Sequence, residues 1–277
     1  MDYKEITIII LLYQTPNKLL ENLRKYKNFK ILILDQSNNL SNKIYLKKIL
    51  PNIQYYGLTN KNMGFAKAQN FLIKKVKTRY FFSTQPDINI SARSIINLKK
   101  TIIKFKKDCI LAVPKINNQK NIIKAHTKHN NKKEFQINDM IGASFMADQK
   151  KFIKIGMFDV NFFFYWEDID LSYRIRKSKY NIYLNLKSKA QHATSTSSNN
   201  TLNTLIIRYI NFKFGEYLFS YKIKKLRNLK IIRQLFTYPI YSLLYLFLLQ
   251  FNTSLKYCCY FFGIFKFFLI KNKINMR

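Results

Sequence analysis

The sequence is short of several residue types, and each shortage narrows what the chain does. Its 277 residues include three cysteines, Cys109, Cys258 and Cys259. The number is odd, two are adjacent and no CxxC spacing occurs, so neither a disulfide framework nor a thiolate zinc site is indicated. A reducing compartment fits that usage. Acidic residues number only 14 against 49 Lys and Arg, a formal net charge of +35. Glycine, proline and alanine are scarce, and no internal repeat is present. The first apolar run, Ile6–Leu12, follows Asp2 and Glu5 instead of a cationic segment, and no cleavage site follows it. This is not the pattern of a secretory signal, so the expectation is a chain that stays inside the cell.

The charge has two open readings. One is an anionic partner: nucleic acid, an anionic bilayer or a phosphate-bearing substrate. The other is compositional, because Lys, Asn, Ile, Phe and Tyr are abundant along the whole length, as an AT-rich coding sequence would produce. Lysine outnumbers arginine, which weakens a case for specific base readout. With 48% apolar residues the chain can bury a core, and its length suits one medium catalytic domain plus an appendage.

Strands and helices alternate through the first half. Ile6–Tyr13 is a continuous apolar run, as expected of a strand buried on both faces. Thr15-Pro16 opens a helix, with Pro16 near its first position. Lys30–Leu34 is a second strand ending at Asp35, and Ile53–Tyr56 a short third. Phe65–Val76 reads as helix. Tyr80–Ser83 is a fourth strand, leading to Gln85-Pro86-Asp87. Ala92–Lys106 is helical, and Cys109–Val113 is a fifth strand closing at Pro114. This rhythm predicts an α/β fold with a mainly parallel central sheet flanked by helices.

Residues 117–134 are polar and read as a loop or loose hairpin. An apolar patch, Met140–Ala147, and a helix over Asp148–Ile155 follow. An aromatic run, Phe162–Trp166, leads through Glu167-Asp168-Ile169-Asp170 into another helix. Asn181–Leu184 is a late strand, and Thr194–Asn200 a linker by composition. The expected division is a catalytic domain over 1–200 and a basic, aromatic-rich helical region over 201–277. Within the latter, Leu235–Phe251 reads as interfacial more than spanning.

Ligands of open α/β sheets bind beyond the carboxyl ends of the strands. Asp35 and Asp87 sit at two such ends, where each suits a ligand contact or an ordinary turn. A carboxylate at Asp35 can hydrogen-bond a base or ribose, and one at Asp87 can hold a hard divalent cation. Gly64 joins a strand to a helix and permits close approach of backbone to a ligand; the plainer reading is a helix entry capped by Asn62. Asp159, Glu167, Asp168 and Asp170 fall within a dozen positions beside Trp166, the only tryptophan. Either they cap a helix, with Asp170–Arg174 as an i,i+4 pair, or they include a general base. His192 follows a late strand and suits a structural role, a metal or a phosphate. His126 and His129 lie in the basic loop and have no expected catalytic part.

In this order the segments resemble family-2 inverting glycosyltransferases, most nearly a rhamnosyltransferase-like subgroup of O-antigen and cell-wall assembly. The resemblance rests on Tyr13 closing the first strand, on Asp35-Gln36-Ser37-Asn38, and on Asn62, Gly64, Phe65, Ala66, Ala68 and Asn70 of an N-x-G-F-A-x-A-x-N block. It continues through Gln85-Pro86-Asp87, Gly142-Ala143 and Gly156-Met157-Phe158-Asp159. It ends with Phe163, Tyr165, Trp166, Glu167, Asp168, Asp170 and Leu171 of an F-x-Y-W-E-D-x-D-L block and with His192, covering residues 4–195. It implies a GT-A fold and a nucleotide-sugar donor linked to dTDP, UDP or GDP. Asp35 would meet the nucleobase, and Tyr13, Asn62, Gly64, Ala68 and Gln85 would line the donor site. Asp87 would hold Mg²⁺ or Mn²⁺ with His192 nearby, and Asp168 would be the catalytic base beside Glu167. Gln85 stands where the subgroup usually has Asn, and Ala193-Thr194-Ser195 replace the residues expected after His192.

The resemblance also implies a glycan or lipid-linked acceptor. The basic C-terminal region would then hold the enzyme on the anionic inner face of the cell membrane. A nucleic-acid partner would need basic and aromatic residues on one sheet face with no acidic pocket, and the cluster at 159–170 argues against it. The same resemblance is compatible with a different sugar, such as a hexose or N-acetylhexosamine, and with an inactive scaffold of the same fold.

Overall fold

The computed structural model describes residues 3–37, 39–57, 62–116, 133–193 and 201–273. The linker at 194–200, His126, His129 and nearly all of the polar segment 117–134 lie outside them. Nine strands form one sheet: β1 Ile6–Leu12, β2 Lys30–Asp35, β3 Ile53–Gly57, β4 Tyr80–Thr84, β5 Ile88–Ile90, β6 Cys109–Ile116, β7 Glu134–Ile137, β8 Phe145–Asp148 and β9 Asn181–His192. Their order is β3-β2-β1-β4-β8-β6-β9-β5, with β7 also on β9. The parallel arrangement expected from the sequence holds for β3-β2-β1-β4 and for β6 beside β9. The remainder is antiparallel: β8 bridges β4 and β6, while β5 and β7 both run against β9. The sheet is therefore mixed, because four-residue β8, buried throughout, enters from the opposite direction between two parallel blocks.

Buried apolar residues line both faces of the sheet. One layer includes Ile8, Ile10, Phe82 and Met146, and the other Ile9, Leu34, Phe81 and Phe145. Alternate residues of one strand serve opposite layers, so the strands are nearly continuous apolar runs. The helices covering them are α1 Asn17–Leu20, which tightens into a 3₁₀ turn over Glu21–Tyr26, α2 Leu40–Ile49, α3 Phe65–Lys75, α4 Ala92–Lys104, α5 Gln149–Lys154 and α6 Glu167–Arg176. Pro16 is the N-cap of α1 instead of its first helical residue. Side chains cap four helix starts: Asn39 for α2, Ser91 for α4, Asp148 for α5 and Thr201 for α7 (Leu202–Lys222).

Strand β9 runs far beyond the four residues predicted, by way of a bulge. Its pairing with β6 jumps from Pro114 opposite Asn185 to Lys115 opposite Lys189. Asn185 Oδ1 accepts from the backbone N–H groups of Lys187 and Ser188 at 2.8 and 3.1 Å, satisfying the displaced segment. Past the bulge the strand regains its register and ends with His192 opposite Ile88.

Helix α7 meets the sheet half at Trp166 and Phe162, and α9 Phe251–Ile270 packs on both α7 and α8 Asn228–Phe247. A third cluster, including Phe162, Phe214, Leu218, Ile264 and Phe267, holds them together. The tie is ionic as well. Lys222 Nζ, on α7, donates to Asp170 Oδ1 at 2.6 Å and to Asp159 Oδ2. Arg174 Nε donates to Asp170 Oδ2 at 2.8 Å, and its other nitrogens donate to the carbonyls of Ile155 and Met157. The expected Asp170–Arg174 pair is thus one edge of a larger network. Removing one partner of a buried pair strands the others without compensation. Lys222→Met is expected to lower unfolding stability by about 3–5 kcal/mol, read as a shifted denaturant midpoint followed by circular dichroism.

Candidate active site

A cleft opens beyond the carboxyl ends of β1 and β4. Its walls include Leu12, Tyr13, Gln36, Asn62, Gly64 and Gln85 from the sheet side, Phe163 and Phe164 from the aromatic run, and Thr204, Ile207 and Arg208 from α7. Of the residues expected at a donor site, Tyr13, Asn62, Gly64 and Gln85 line it. Asp35 and Ala68 do not. Ala68 is fully buried in the apolar layer under α3, where its small size lets the helix approach the sheet. Asp35 is also fully buried. Its Oδ1 accepts from the backbone N–H and hydroxyl of Ser37 at 2.9 and 2.6 Å, and its Oδ2 from the Tyr55 hydroxyl at 2.7 Å. It thereby fixes the turn that presents Gln36, whose Oε1 accepts from Met63 N–H at 2.8 Å.

The α3 entry is clamped to the aromatic run. Asn62 Oδ1 accepts from Gly64 N–H at 2.9 Å, a local Asx turn, and Phe65 N–H donates to the Phe163 carbonyl at 2.7 Å. Gly64 has φ +79°, and a Cβ there would stand 2.4 Å from that carbonyl oxygen. Asn70, one turn further on, exchanges two hydrogen bonds with the backbone of Phe158, at 2.8 and 3.1 Å. Its buried amide locks the Gly156–Phe158 turn. Tyr165 and Trp166 then adopt left-handed backbone, φ 68° and 72°, immediately before α6. Two consecutive non-glycine residues in that region are unusual and cluster at functional sites. Trp166 is held in place by α7, where a Cβ on Gly215 would fall 2.8 Å from its Cδ1.

That turn divides the four acids. Asp159 and Asp170 are taken by Lys222 and Arg174. Glu167 and Asp168 are left as an adjacent pair. Asp168 Oδ2 accepts from Gly142 N–H at 3.0 Å and Oδ1 from Ile169 N–H at 2.9 Å. Ser172 Oγ donates to the Asp168 carbonyl at 2.7 Å and accepts from Met140 N–H at 3.1 Å, which fixes the segment carrying Gly142. A Cβ at Gly142 would lie 3.7 Å from both Asp168 Oδ2 and Phe65 Cε1. Gly142 thus lies between Asp168 and the cleft residue Phe65, and Asp168, like Glu167, Asp87 and His192, is not one of the cleft-lining residues. Burial raises the Asp168 pKa, and the two backbone donors oppose that rise. Burial raises Glu167 well above the ordinary range, reinforced by the charge of Asp168, and Glu167 Oε2 has no hydrogen-bond partner. Both carboxyls of the pair are thus held above the ordinary carboxylate range, and only Asp168 has backbone donors that oppose the rise.

The register of β5 against β9 sets the second feature. It brings His192 Nε2 to 3.4 Å from Asp87 Oδ2, with the Asp87 side chain only 1% exposed. Neither carboxylate oxygen accepts a hydrogen bond. A buried carboxylate without donors is costly unless a cation compensates it. One hard oxygen and one imidazole nitrogen suit Mg²⁺ or Mn²⁺, with most of the shell left to water and ligand phosphate. Among the described residues no set of three or more His, Cys, Asp or Glu side chains converges. A cation here would depend on its ligand for the remaining contacts.

Sequence patterning does not single out Thr204, Ile207 and Arg208. They lie beyond the linker, in a helix whose apolar and basic residues read as an appendage. The one clue is the spacing of Thr204 and Arg208, about one helical turn apart on a single face.

The family model "Glycosyl transferase family 2" matches residues 7–171. No curated protein matches the sequence. Among solved structures, a crystal structure of GalNAc-T7 with UDP, GalNAc and Mn²⁺ is similar at TM-score 0.57 and 13% identity, covering 77% of this chain and 48% of that one. The crystal structure of S. aureus TarS is similar at TM-score 0.55 and 13% identity, covering 79% and 39%. The chain spans less than half the length of either. At these identities the likeness is one of fold.

Two outcomes are expected of the site's own chemistry. Gly64→Ala is expected to cost about 2 kcal/mol or more, since it strains φ and pushes Phe163 away; thermal unfolding measures it. Glu167 has a folded pKa above its unfolded value, so its protonated form stabilises the fold. That stability is complete below pH 4.5 and is lost as pH rises through the folded pKa. Glu167→Gln removes the loss. The variant should gain on the native chain progressively as pH rises, and equal slopes in denaturation series across pH would refute the assignment.

Proposed function

The chain belongs to glycosyl transferase family 2, and from that premise we propose that it moves a sugar from a nucleotide-sugar donor to a glycan or lipid-linked acceptor with inversion at the anomeric carbon. One observation carries the reading. Two differently furnished carboxylate sites flank the carboxyl end of the sheet, Asp87 beside His192 and Asp168 beside Glu167.

Asp168 is the general base. It takes the proton of the acceptor hydroxyl as that oxygen attacks the anomeric carbon and the diphosphate leaves. Gly142 and Ile169 N–H orient it. Asp87 and His192 hold the divalent cation, which when bound offsets the charge of the leaving nucleoside diphosphate. Tyr13, Asn62, Gly64 and Gln85 line the donor site. Asp35 serves its nucleobase end through the Ser37 turn and Tyr55 that it fixes. Gln85 brings no charge, so cation affinity leans on the diphosphate. Arg208, at the cleft wall, adds positive charge for an anionic donor.

The tryptophan–acid block favours a rhamnosyl donor. A UDP-linked N-acetylhexosamine is the second reading, favoured by the GalNAc-T7 structure, whose bound groups are UDP, GalNAc and Mn²⁺. The proposed place of work is the anionic inner face of the cell membrane, reached through the basic C-terminal helices. The test is nucleoside diphosphate release from a panel of dTDP-, UDP- and GDP-sugars with Mg²⁺ or Mn²⁺ and a membrane lipid extract as acceptor source. Asp168→Asn should reduce release about 10²–10⁴-fold, while leaving nucleotide binding by calorimetry intact. A folded chain that neither binds nucleotide nor releases diphosphate from any donor is an inactive scaffold.

A further inference from the structure

Helices α8 and α9 form an antiparallel hairpin closed by Leu248, Leu249 and Gln250. From Gln234 to Leu255 the chain has no Asp, Glu, Lys, Arg or His. This charge-free stretch, with fourteen residues on the α8 side and five on the α9 side, includes the hairpin tip. There Phe247 is 86% exposed, Leu249 74% and Phe251 63%. On α8 the exposed apolar residues Leu229, Ile232, Phe236, Ile240, Leu243 and Phe247 continue that surface as a stripe at helical spacing. Basic residues gather at the other end: Arg227, Lys230 and Arg233 open α8, while Lys266, Lys271 and Lys273 close α9. Antiparallel pairing puts both groups at the same end of the hairpin.

Two serines near the tip satisfy each other, while Gln250 and Asn252 are exposed at it. Ser254 Oγ donates to the Ser242 carbonyl at 2.8 Å, and Ser242 Oγ donates to the Ser254 carbonyl at 3.1 Å. Tyrosines follow within about two turns of the tip, with Tyr245 stacked on Tyr257 at 5.5 Å and Tyr241 at 5.2 Å from it. Such a belt suits the head-group boundary. Lys256 is the one charge near the tip, and its ammonium lies over the Tyr260 ring one turn closer to the basic end. A lysine can reach back to the interface in this way.

Resting on the membrane location in the proposed function, we infer that this hairpin enters a single anionic leaflet tip first and turns back without crossing. Length supports a wedge over a span. The charge-free arm of α8, Gln234–Phe247, is about 21 Å long at 1.5 Å per residue, and α9 meets Lys256 five residues after its start. A crossing needs about 30 Å of core. Segment Phe251–Lys273 passes a test of length and apolarity alone, but one face of α9 is committed to protein. A Cβ on Gly263 would stand 2.6 Å from the Ile210 carbonyl and 2.9 Å from Lys213 Cβ, and Ile264 and Phe267 are buried with Phe214 and Leu218. Helix α7 thus gives the cleft Thr204, Ile207 and Arg208 from its first turns and seats the hairpin further along, at Ile210, Lys213, Phe214 and Leu218. Insertion holds the cleft at a set height above the head groups, which fits a sugar acceptor carried on a membrane lipid.

The experiment floats the full chain with vesicles of phosphatidylcholine alone or enriched in phosphatidylglycerol, in low salt and in ~1 M salt, where charge attraction is screened within ~3 Å. The native chain should bind the anionic vesicles and remain bound in high salt. The triple variant Leu243→Ser, Phe247→Ser, Leu249→Ser alters only exposed side chains and should lose binding about tenfold or more, with nucleotide binding unchanged. In a Cys258→Ser background, Gln250→Cys should resist a membrane-impermeant maleimide placed outside or inside the vesicles. Native-like flotation of the triple variant overturns the inference. So does labelling from the lumen, which means a span, or a soluble dimer that the triple variant dissociates, which means that a second copy covers the face. If flotation behaves as expected while the native chain binds no nucleotide, the wedge stands and the glycosyltransferase reading fails.

Discussion

One buried ammonium holds the molecule's two halves together. Lys222 sits between Asp159 and Asp170, with side chains 8%, 3% and 2% exposed. Two carboxylates so deeply placed would otherwise repel each other out of contact with water, and Arg174 neutralises only one of them. The lysine comes from α7, outside the segment matched by the family model. Its docking brings Gly215 against Trp166 and sets Thr204, Ile207 and Arg208 into the cleft wall. The left-handed turn at Tyr165 and Trp166 is thus trapped between the aromatic clamp at Gly64 and the α7 surface. Strain of that kind persists only where the surroundings over-determine it.

In a chain so poor in acid, the placement of each carboxylate matters. Asp35 is saturated by hydroxyls and a backbone N–H, so it is architectural. Asp159 and Asp170 are saturated by cations. Asp168 is oriented by two N–H donors, Glu167 is left partly bare, and Asp87 accepts no hydrogen bond at all. The carboxylates thus range from fully hydrogen-bonded to unpartnered.

The parallel half of the sheet is legible in the sequence because its strands are buried on both faces and read as unbroken apolar runs. The antiparallel strands are not. Ile88–Ile90 has three residues, and Phe145–Asp148 ends in a helix cap, so neither shows a period. The length of β9 is hidden because its bulge spends polar residues, Asn185 to Ser188, that look like a strand end. Helix α2 escapes a periodicity reading because Leu40 and Ile44 are exposed and blur its apolar face. At the site, Asp168, Glu167, Asp87 and His192 stand out through motif order. Which of the clustered acids are structural cannot be read locally, because Lys222 lies more than fifty residues away. Ala68 stands out in the same block as Gly64, yet its smallness serves packing under α3.

The seating of α9 on α7 also bears on what a protease can do to this protein. Gly263, Ile264 and Phe267 cover the middle of α7, the helix whose first turns wall the cleft. A cut in the short connection between α7 and α8 would not by itself free the hairpin from the rest of the chain. Either the severed hairpin stays in place by its packing, or it leaves and uncovers Phe214 and Leu218. The exposed apolar hairpin and part of the cleft wall thus rest on one shared helix, α7.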